Sequence, residues 1–361
     1  MATALANSQE IKMMKLSKWW RQIGVTFAMA LAGNMTQAQS GAVVPLKFNW
    51  GLPTANYFTL YVARDLGLFQ QVGLDPQFYT FQSGAPLLAG LKSDSLDVVT
   101  TGLATVFALG QNIPLRMIYW SLDHAASEGL VVTAKSGIDT YRDLGKAKTI
   151  GAPSGTCAQV ALALMAKKLG LKYSSLNVLN IAPPLYANAM SGGSLDAGMA
   201  WSPYVQILVE SGHKVVGWDP DYAPDGGVCP GMTAARPKFL QANPEVGVKL
   251  VEVQAKAMEA IAKNPNLAID AMVKYLSISR SVAKAAYERE CCDRYPTLQQ
   301  QLDPNSQFSM VSKDSGLARK FYIASQMLQE TGTIPTALTW EQINAAIDPS
   351  YIRQYLEKVR K

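Results

Sequence analysis

The residues from Lys47 to Leu74 constrain the fold of this chain more than any other stretch. A strand-like run (Leu46, Phe48, Trp50) breaks at Gly51-Leu52-Pro53, and helical spacing takes over at Tyr57, Leu60, Tyr61 and Arg64. Thr54 is a candidate N-cap for that helix and Gly67 a candidate stop. Past the turn at Gly73, a second strand runs from Leu74 to Phe81. Strand, loop, helix and strand in this order form one turn of a doubly wound α/β layer. Such layers bind ligands beyond the carboxyl ends of their strands.

The same rhythm continues. Ser83-Gly84 opens a helix to Leu91, Asp97 to Thr100 is a short apolar strand, and Thr101-Gly102 opens a helix from Leu103 to Leu109. Leu115 to Trp120 is another strand. Alternation of this kind implies a mostly parallel sheet covered on both faces. The polar run Ser121 to Gly129 gives way to the apolar strand Leu130 to Thr133, which reads as a crossing into a second lobe. There the pattern repeats through strands at 149–152, 177–181, 196–200 and 213–217, with a helix at 156–169 and others at 184–190 and after Trp201-Ser202-Pro203. A loop rich in Asp, Pro and Gly (219–227) precedes the return along Cys229 to Ala235.

From Pro237 the pattern is helical. Val246, Leu250, Val253, Ala257 and Ile261 form one apolar stripe, further helices are expected at 265–276, 281–292, 315–330 and 350–360, and Thr339 to Gln342 fits a capping box. The expected organisation is a signal segment at 1–38, a first lobe at 43–130 plus 228–361 with a helical C-terminal extension, and a second lobe at 131–227.

Residues 1–38 carry a basic head (Lys12, Lys15, Lys18, Arg21), an apolar run from Ile23 to Gly33, and small residues at Thr36 and Ala38. This is the pattern of a cleavable secretory signal, and the run is shorter than the roughly 20 residues of a membrane span. The expectation is an exported, soluble monomer in the periplasm. Without those four basic residues and Glu10, the formal charge falls from +6 to about +3. No basic run or nucleic-acid motif remains, which argues against nucleic acid as a partner.

No catalytic constellation is visible. The two histidines, His124 and His213, form no local metal motif, and nucleophile elbows, phosphate loops and dinucleotide fingerprints are missing. Neither a cofactor, a metal nor an enzymatic activity is expected. What stands out instead are small polar residues at strand-to-helix junctions: Ser83-Gly84, Thr101-Gly102 and Ser154-Gly155-Thr156. Helix starts of this kind offer free N–H groups to an anion. Trp50, Tyr57, Trp120, Trp201 and Tyr204 lie at or just beyond strand ends, where aromatic walls line small-molecule pockets. Asn56 neighbours Tyr57 in the same loop, and Asp123 and His124 sit at the first crossing, within reach of a bound solute.

Four cysteines in an oxidising compartment permit disulfides. Cys229 is a candidate partner of Cys291 or Cys292, a bridge between those two neighbours would be strained, and Cys157 is a candidate buried thiol. The absence of a C-x-x-C spacing argues against zinc.

Several segments together resemble a known family: Ala63 to Gly73, Phe81 to Gly84, Asp97-Val98 with Thr101-Gly102, Gly151 to Thr156, and above all Ala189 to Pro203 (AMSGGSLDAGMAWSP). They are similar to the periplasmic solute-binding proteins of ABC importers for nitrate, sulfonates, taurine and the thiamine pyrimidine. The resemblance covers about Leu46 to Ile347. It implies a two-lobe (type II) periplasmic-binding-protein clamshell of α/β class that closes over one solute and delivers it to a membrane permease and its ATPase. Implied as solute is a small organic anion, a sulfonate or an aliphatic or aromatic carboxylate. Two alternatives share the fold: a thiamine-pyrimidine binder or biosynthetic enzyme, whose cysteine-rich motif Cys291-Cys292-Asp293 matches poorly, and an exported ligand sensor.

Overall fold

Two five-stranded sheets organise the chain in a computed structural model that describes residues 44–291 and 294–361. The expected signal segment and Cys292 lie outside the described residues. The strands in chain order are β1 (Leu46–Pro53), β2 (Leu74–Phe81), β3 (Val98–Thr101), β4 (Arg116–Asp123), β5 (Gly129–Val132), β6 (Ile150–Gly151), β7 (Val178–Leu179), β8 (Ala197–Ala200), β9 (Lys214–Trp218) and β10 (Pro230–Ala235). The first sheet has the order β2-β1-β3-β10-β4 and the second β7-β6-β8-β5-β9. Each sheet is the base of one lobe, with helices on its faces.

The core of each sheet is parallel: β1 runs with β2 and β3, and β6 with β7 and β8. One strand in each runs the other way. β10 is antiparallel to β3 and β4, and β5 to β8 and β9. These are the two strands that carry the chain between lobes, so each enters its sheet from the end that faces the other lobe. Every residue of β3, β5, β8 and β10 is buried, as strands covered on both faces must be.

Helix starts depart most from expectation. The first helix spans Phe58–Asp65, and Thr54 caps nothing: its N–H donates to the Phe81 carbonyl at 2.8 Å, and its buried hydroxyl has no partner. The chain after Ser83-Gly84 makes a turn first, and its helix begins only at Leu87, after Pro86. In the tail the stripe Val246, Leu250, Val253, Ala257 and Ile261 is buried along helix Val246–Lys263. The Thr339 hydroxyl accepts from the Gln342 N–H at 3.2 Å while the Gln342 side chain accepts from the Thr339 N–H, closing the capping box.

The tail braces both lobes. From its helices and loops, Glu330 pairs with Lys167 at 3.0 Å, Thr333 donates to Gln159 at 3.0 Å, and Ser281 donates to Glu210 at 2.8 Å. Lys167, Gln159 and Glu210 all belong to helices of the second lobe. Among the described residues, no helix is long and apolar enough to cross a membrane.

Candidate functional site: a cavity between the lobes

The loops after the parallel strands converge on one narrow cavity of about 30 Å³. From the first lobe come Pro53, Ala55 and Tyr57 after β1, Gly84 after β2, and Thr101 to Ala104 at the end of β3. From the second come Thr156 and Cys157 after β6, and Trp201 after β8. The crossings between the sheets supply His124, Glu128 and Cys229. Every group thus sits at a strand's carboxyl end or on a crossing, where doubly wound folds hold ligands.

Of the residues singled out from the sequence, Tyr57, Gly84, Thr101, Gly102, His124, Thr156 and Trp201 meet at this cavity. The others do not line it. Trp50 is a core residue, packed on Phe48, Phe69 and Phe78, with its indole N–H on Thr100 Oγ1 at 3.0 Å. Trp120 likewise stands edge-on to Phe308 and donates to the Leu122 carbonyl at 3.0 Å. Both lie within their strands, because β1 and β4 each run three residues further than the sequence pattern suggested, so their rings face the sheet's covering layers. Asp123 is occupied too: it accepts from the Ala125 N–H at 3.3 Å and lies 3.8 Å from Lys320 Nζ.

Ser83 is buried behind the rim. Ser154 donates its N–H to Asn180 at 3.0 Å, and Gly155, at φ 71°, donates to Gln159 at 2.7 Å. A Cβ at Gly155 would meet the Phe107 ring 2.1 Å away, so only glycine lets the two lobes approach there. Tyr204 stands behind Trp201, ring edge to face at 6.5 Å.

Three features give the cavity its chemistry. Trp201 reaches across it: its indole N–H donates at 3.1 Å to the carbonyl of Thr54, so a second-lobe side chain is fastened to a first-lobe loop. Thr156 precedes helix Cys157–Lys168 and turns its hydroxyl back to the Pro153 carbonyl at 2.6 Å. The first amides of that helix therefore carry no side-chain cap. Among the described residues, no lysine or arginine lines the cavity.

The second feature is a network that sequence reasoning missed. Glu290, at the end of tail helix Arg280–Glu290, is wholly buried and takes hydrogen bonds from Asn56 Nδ2, Ser127 Oγ and, at 2.9 Å, His124 Nδ1. Asn56 thus has a structural partner instead of a solute. With Nδ1 committed to the carboxylate, His124 keeps Nε2 without a partner among the described residues, and the Tyr57 ring stands perpendicular to the imidazole at 5.0 Å. Burial holds the Tyr57 phenol well above its usual range, so it stays a neutral donor.

The third is Glu128. It is wholly buried, Oε1 has no partner among the described residues, and Oε2 lies 3.7 Å from Cys229 Sγ. That sulfur is bonded to Cys157 and carries no hydrogen: the two residues, 72 apart in sequence, form a disulfide with a Cα–Cα distance of 5.4 Å. This replaces both the expected pairing of Cys229 with Cys291 or Cys292 and the expected free thiol at Cys157. Cys291 is disulfide-bonded as well. Burial, then the neighbouring Asp219 and Glu290 carboxylates, push the Glu128 carboxyl well above the ordinary carboxylate range. Nothing around Glu128 in sequence signals this role.

Asp219 stands beside it, one oxygen accepting from the Val228 N–H at 2.7 Å and the other unpartnered. Burial raises its pKa from 3.8 to about 7, against the lowering effects of the Val228 hydrogen bond and Lys320. The folded state therefore holds a proton that the unfolded chain releases. Its stabilising effect is complete below pH 3.8 and is lost as the pH rises towards 7. Asp219→Asn should accordingly flatten the decline in stability across that window. Urea unfolding of both proteins at pH 4.5 and 7.5 tests this, and parallel declines would refute it.

Residues 54–268 match the NMT1/THI5-like family model. A Bacillus subtilis protein named for binding aliphatic sulfonates is 30% identical over 208 residues, 55% of this chain and 60% of that one. The taurine-binding periplasmic protein of Escherichia coli is 25% identical over 199 residues, 55% and 61% of the two chains. This chain therefore matches less than two thirds of either relative. Among solved structures, the alkanesulfonate-binding protein SsuA of Xanthomonas axonopodis, bound to MOPS, superposes with a TM-score of 0.70 at 17% identity, over 84% of this chain and 98% of that one. All three relatives are named as binding proteins. With its family match covering more than half its length and this two-lobe architecture, the chain belongs to the NMT1/THI5-like family.

Proposed function

We propose that this protein is the extracytoplasmic solute receptor of an ABC importer, closing over a small organic anion and delivering it to a membrane permease and its ATPase. The observation that carries this reading is the cavity lined from both lobes, with Trp201 bridging to Thr54 across it. A ligand stabilises the closed form through contacts that exist only when both walls are present. The acidic head, a sulfonate or carboxylate, would sit at the uncapped start of helix Cys157–Lys168, with Thr101 and Thr156 beside it and His124 Nε2 as a further contact. Trp201, Leu103 and Ala104 would cover the organic part. With no lysine or arginine among the described wall residues, neutral donors hold the charge. That arrangement suits a weakly hydrated head better than a compact inorganic ion. The basic head and apolar run of residues 1–38 support export to the periplasm.

Thermal unfolding against a panel of alkanesulfonates, carboxylates, nitrate and aminopyrimidines tests the reading. A ligand at 100 times its dissociation constant stabilises by about 2.7 kcal/mol and raises the melting temperature visibly. Hits confined to organic acids are expected; a response to aminopyrimidines alone would replace the anion by the pyrimidine class. Trp201→Ala should weaken the best organic acid roughly tenfold or more, through loss of the wall and of the bridge to Thr54. Unchanged affinity in calorimetry would remove Trp201 from the site.

A further inference from the structure

We propose that the Cys157–Cys229 disulfide is a reactive bond in the cavity wall that exchanges with a small thiol bearing an acidic group, and so captures that solute covalently. The inference rests on the solute-receptor reading above and narrows its ligand to an acid-bearing thiol. A structural disulfide is normally packed away from its ligand site, and its inertness comes from lack of access. Here both cysteines, 6% and 2% exposed, line the space between the lobes, so a solute that enters the opened cleft meets the bond. Gly102 of the first lobe packs directly on the bond: a Cβ there would lie 2.6 Å from Cys157 Sγ, so only glycine lets the first-lobe rim close this tightly over the sulfur.

The two sulfurs are unequal. Cys157 is the first residue of a 12-residue helix with no side-chain cap, where the free amides and the helix dipole favour negative charge on an approaching thiolate. Cys229 has the Glu128 carboxyl 3.7 Å away. That carboxyl is wholly buried, has no hydrogen-bond donor among the described residues, and its pKa is raised well above the ordinary carboxylate range by burial, then by Asp219 and Glu290, which favours the proton-bearing form. The bond thus has a site for an anionic attacker at one end and a proton source at the other.

The exchange balances without an outside oxidant. The solute thiol ionises, and its thiolate sulfur bonds to Cys157 Sγ. The Cys157–Cys229 bond breaks, its electron pair goes to Cys229 Sγ, and Glu128 protonates that leaving sulfur. The proton released by the solute restores Glu128. The products are a mixed disulfide at Cys157 and a free thiol at Cys229. Exchange also unfastens the second-lobe helix from the return crossing, which leaves the cleft free to open.

Two thiols that differ in the acidic group test this on the protein with its disulfides intact. 2-Mercaptoethanesulfonate and 2-mercaptoethanol are added separately, the reaction is quenched by alkylation, and peptide masses report each cysteine. Expected are a mercaptoethanesulfonate adduct on Cys157 with an alkylated Cys229, formation roughly tenfold faster than with 2-mercaptoethanol, and protection by excess ethanesulfonate. Glu128→Gln should slow the adduct, and Glu128→Asp should restore part of the rate. Equal rates for the two thiols without protection, or a bond that survives both, would overturn the proposal. Calorimetry with ethanesulfonate separates the two readings. Binding without exchange leaves the receptor standing and removes only the covalent step, whereas no binding and no rate difference removes both.

Discussion

Replacing both Cys157 and Cys229 by serine is expected to lower the free energy of unfolding by roughly 4 kcal/mol, the chain-entropy value for a closed loop of this size. The bond spans 72 residues and encloses three of the second lobe's five strands, β7, β8 and β9, between its ends. Without it, the unfolded chain regains the freedom of that loop. The native state keeps its sheets, since each lobe has its own buried strands. Denaturant unfolding of the double variant measures the loss. A change below about 1 kcal/mol would mean that the unfolded chain is already constrained in this region, and that the bond's significance is confined to the cavity. The double variant should also open more readily, which small-angle scattering without ligand would register as a larger radius of gyration.

Glu290→Ala should be nearly as costly, by a different mechanism. The carboxylate collects donors from Asn56 in the first lobe and from Ser127 and His124 in the crossing, and all four residues are buried. Removing it leaves Asn56 Nδ2 and His124 Nδ1 without their acceptor, while Ser127 Oγ keeps the His124 carbonyl at 3.0 Å. Each buried donor left unsatisfied costs about 1–3 kcal/mol, so the loss should reach roughly 2–5 kcal/mol. The imidazole would also lose the contact that fixes its tautomer and its angle to Tyr57, so solute affinity should fall along with stability. Equilibrium unfolding and calorimetry on the same variant separate the two effects. A loss under about 1 kcal/mol would show that another acceptor replaces the carboxylate. Glu290→Gln keeps the volume but not the charge, and should fall between Ala and the native protein.

The two variants act on different parts of one design. The disulfide joins the second lobe to the return crossing, while Glu290 joins the tail to the outgoing crossing and to the loop after β1. Together they fix both connections around the cavity. The tail, which looks like a simple buttress in sequence, supplies the residue that orients His124 and contacts helices of both lobes.

Local sequence determined the order of elements. Alternating apolar strands, glycine turns and amphipathic helices are nearest-neighbour properties. The ten strands accordingly fall close to where the pattern located them, and the Thr339 capping box forms as its spacing requires. The rim residues Tyr57, Gly84, Thr101, Gly102, His124, Thr156 and Trp201 were legible for the same reason: strand ends are visible in a sequence, and strand ends make the rim. Trp50 and Trp120 misled because a ring near a strand end reads alike whether it faces the sheet's cover or the cleft, and only the strand's true length decides. Tertiary structure alone decided the rest. Cys157 meets Cys229 across 72 residues, Glu290 meets His124 across 166, and Glu128 becomes a donor-less acid because the fold removes its water. None of these leaves a local trace, since partner choice and desolvation arise only when segments distant in the chain are packed together.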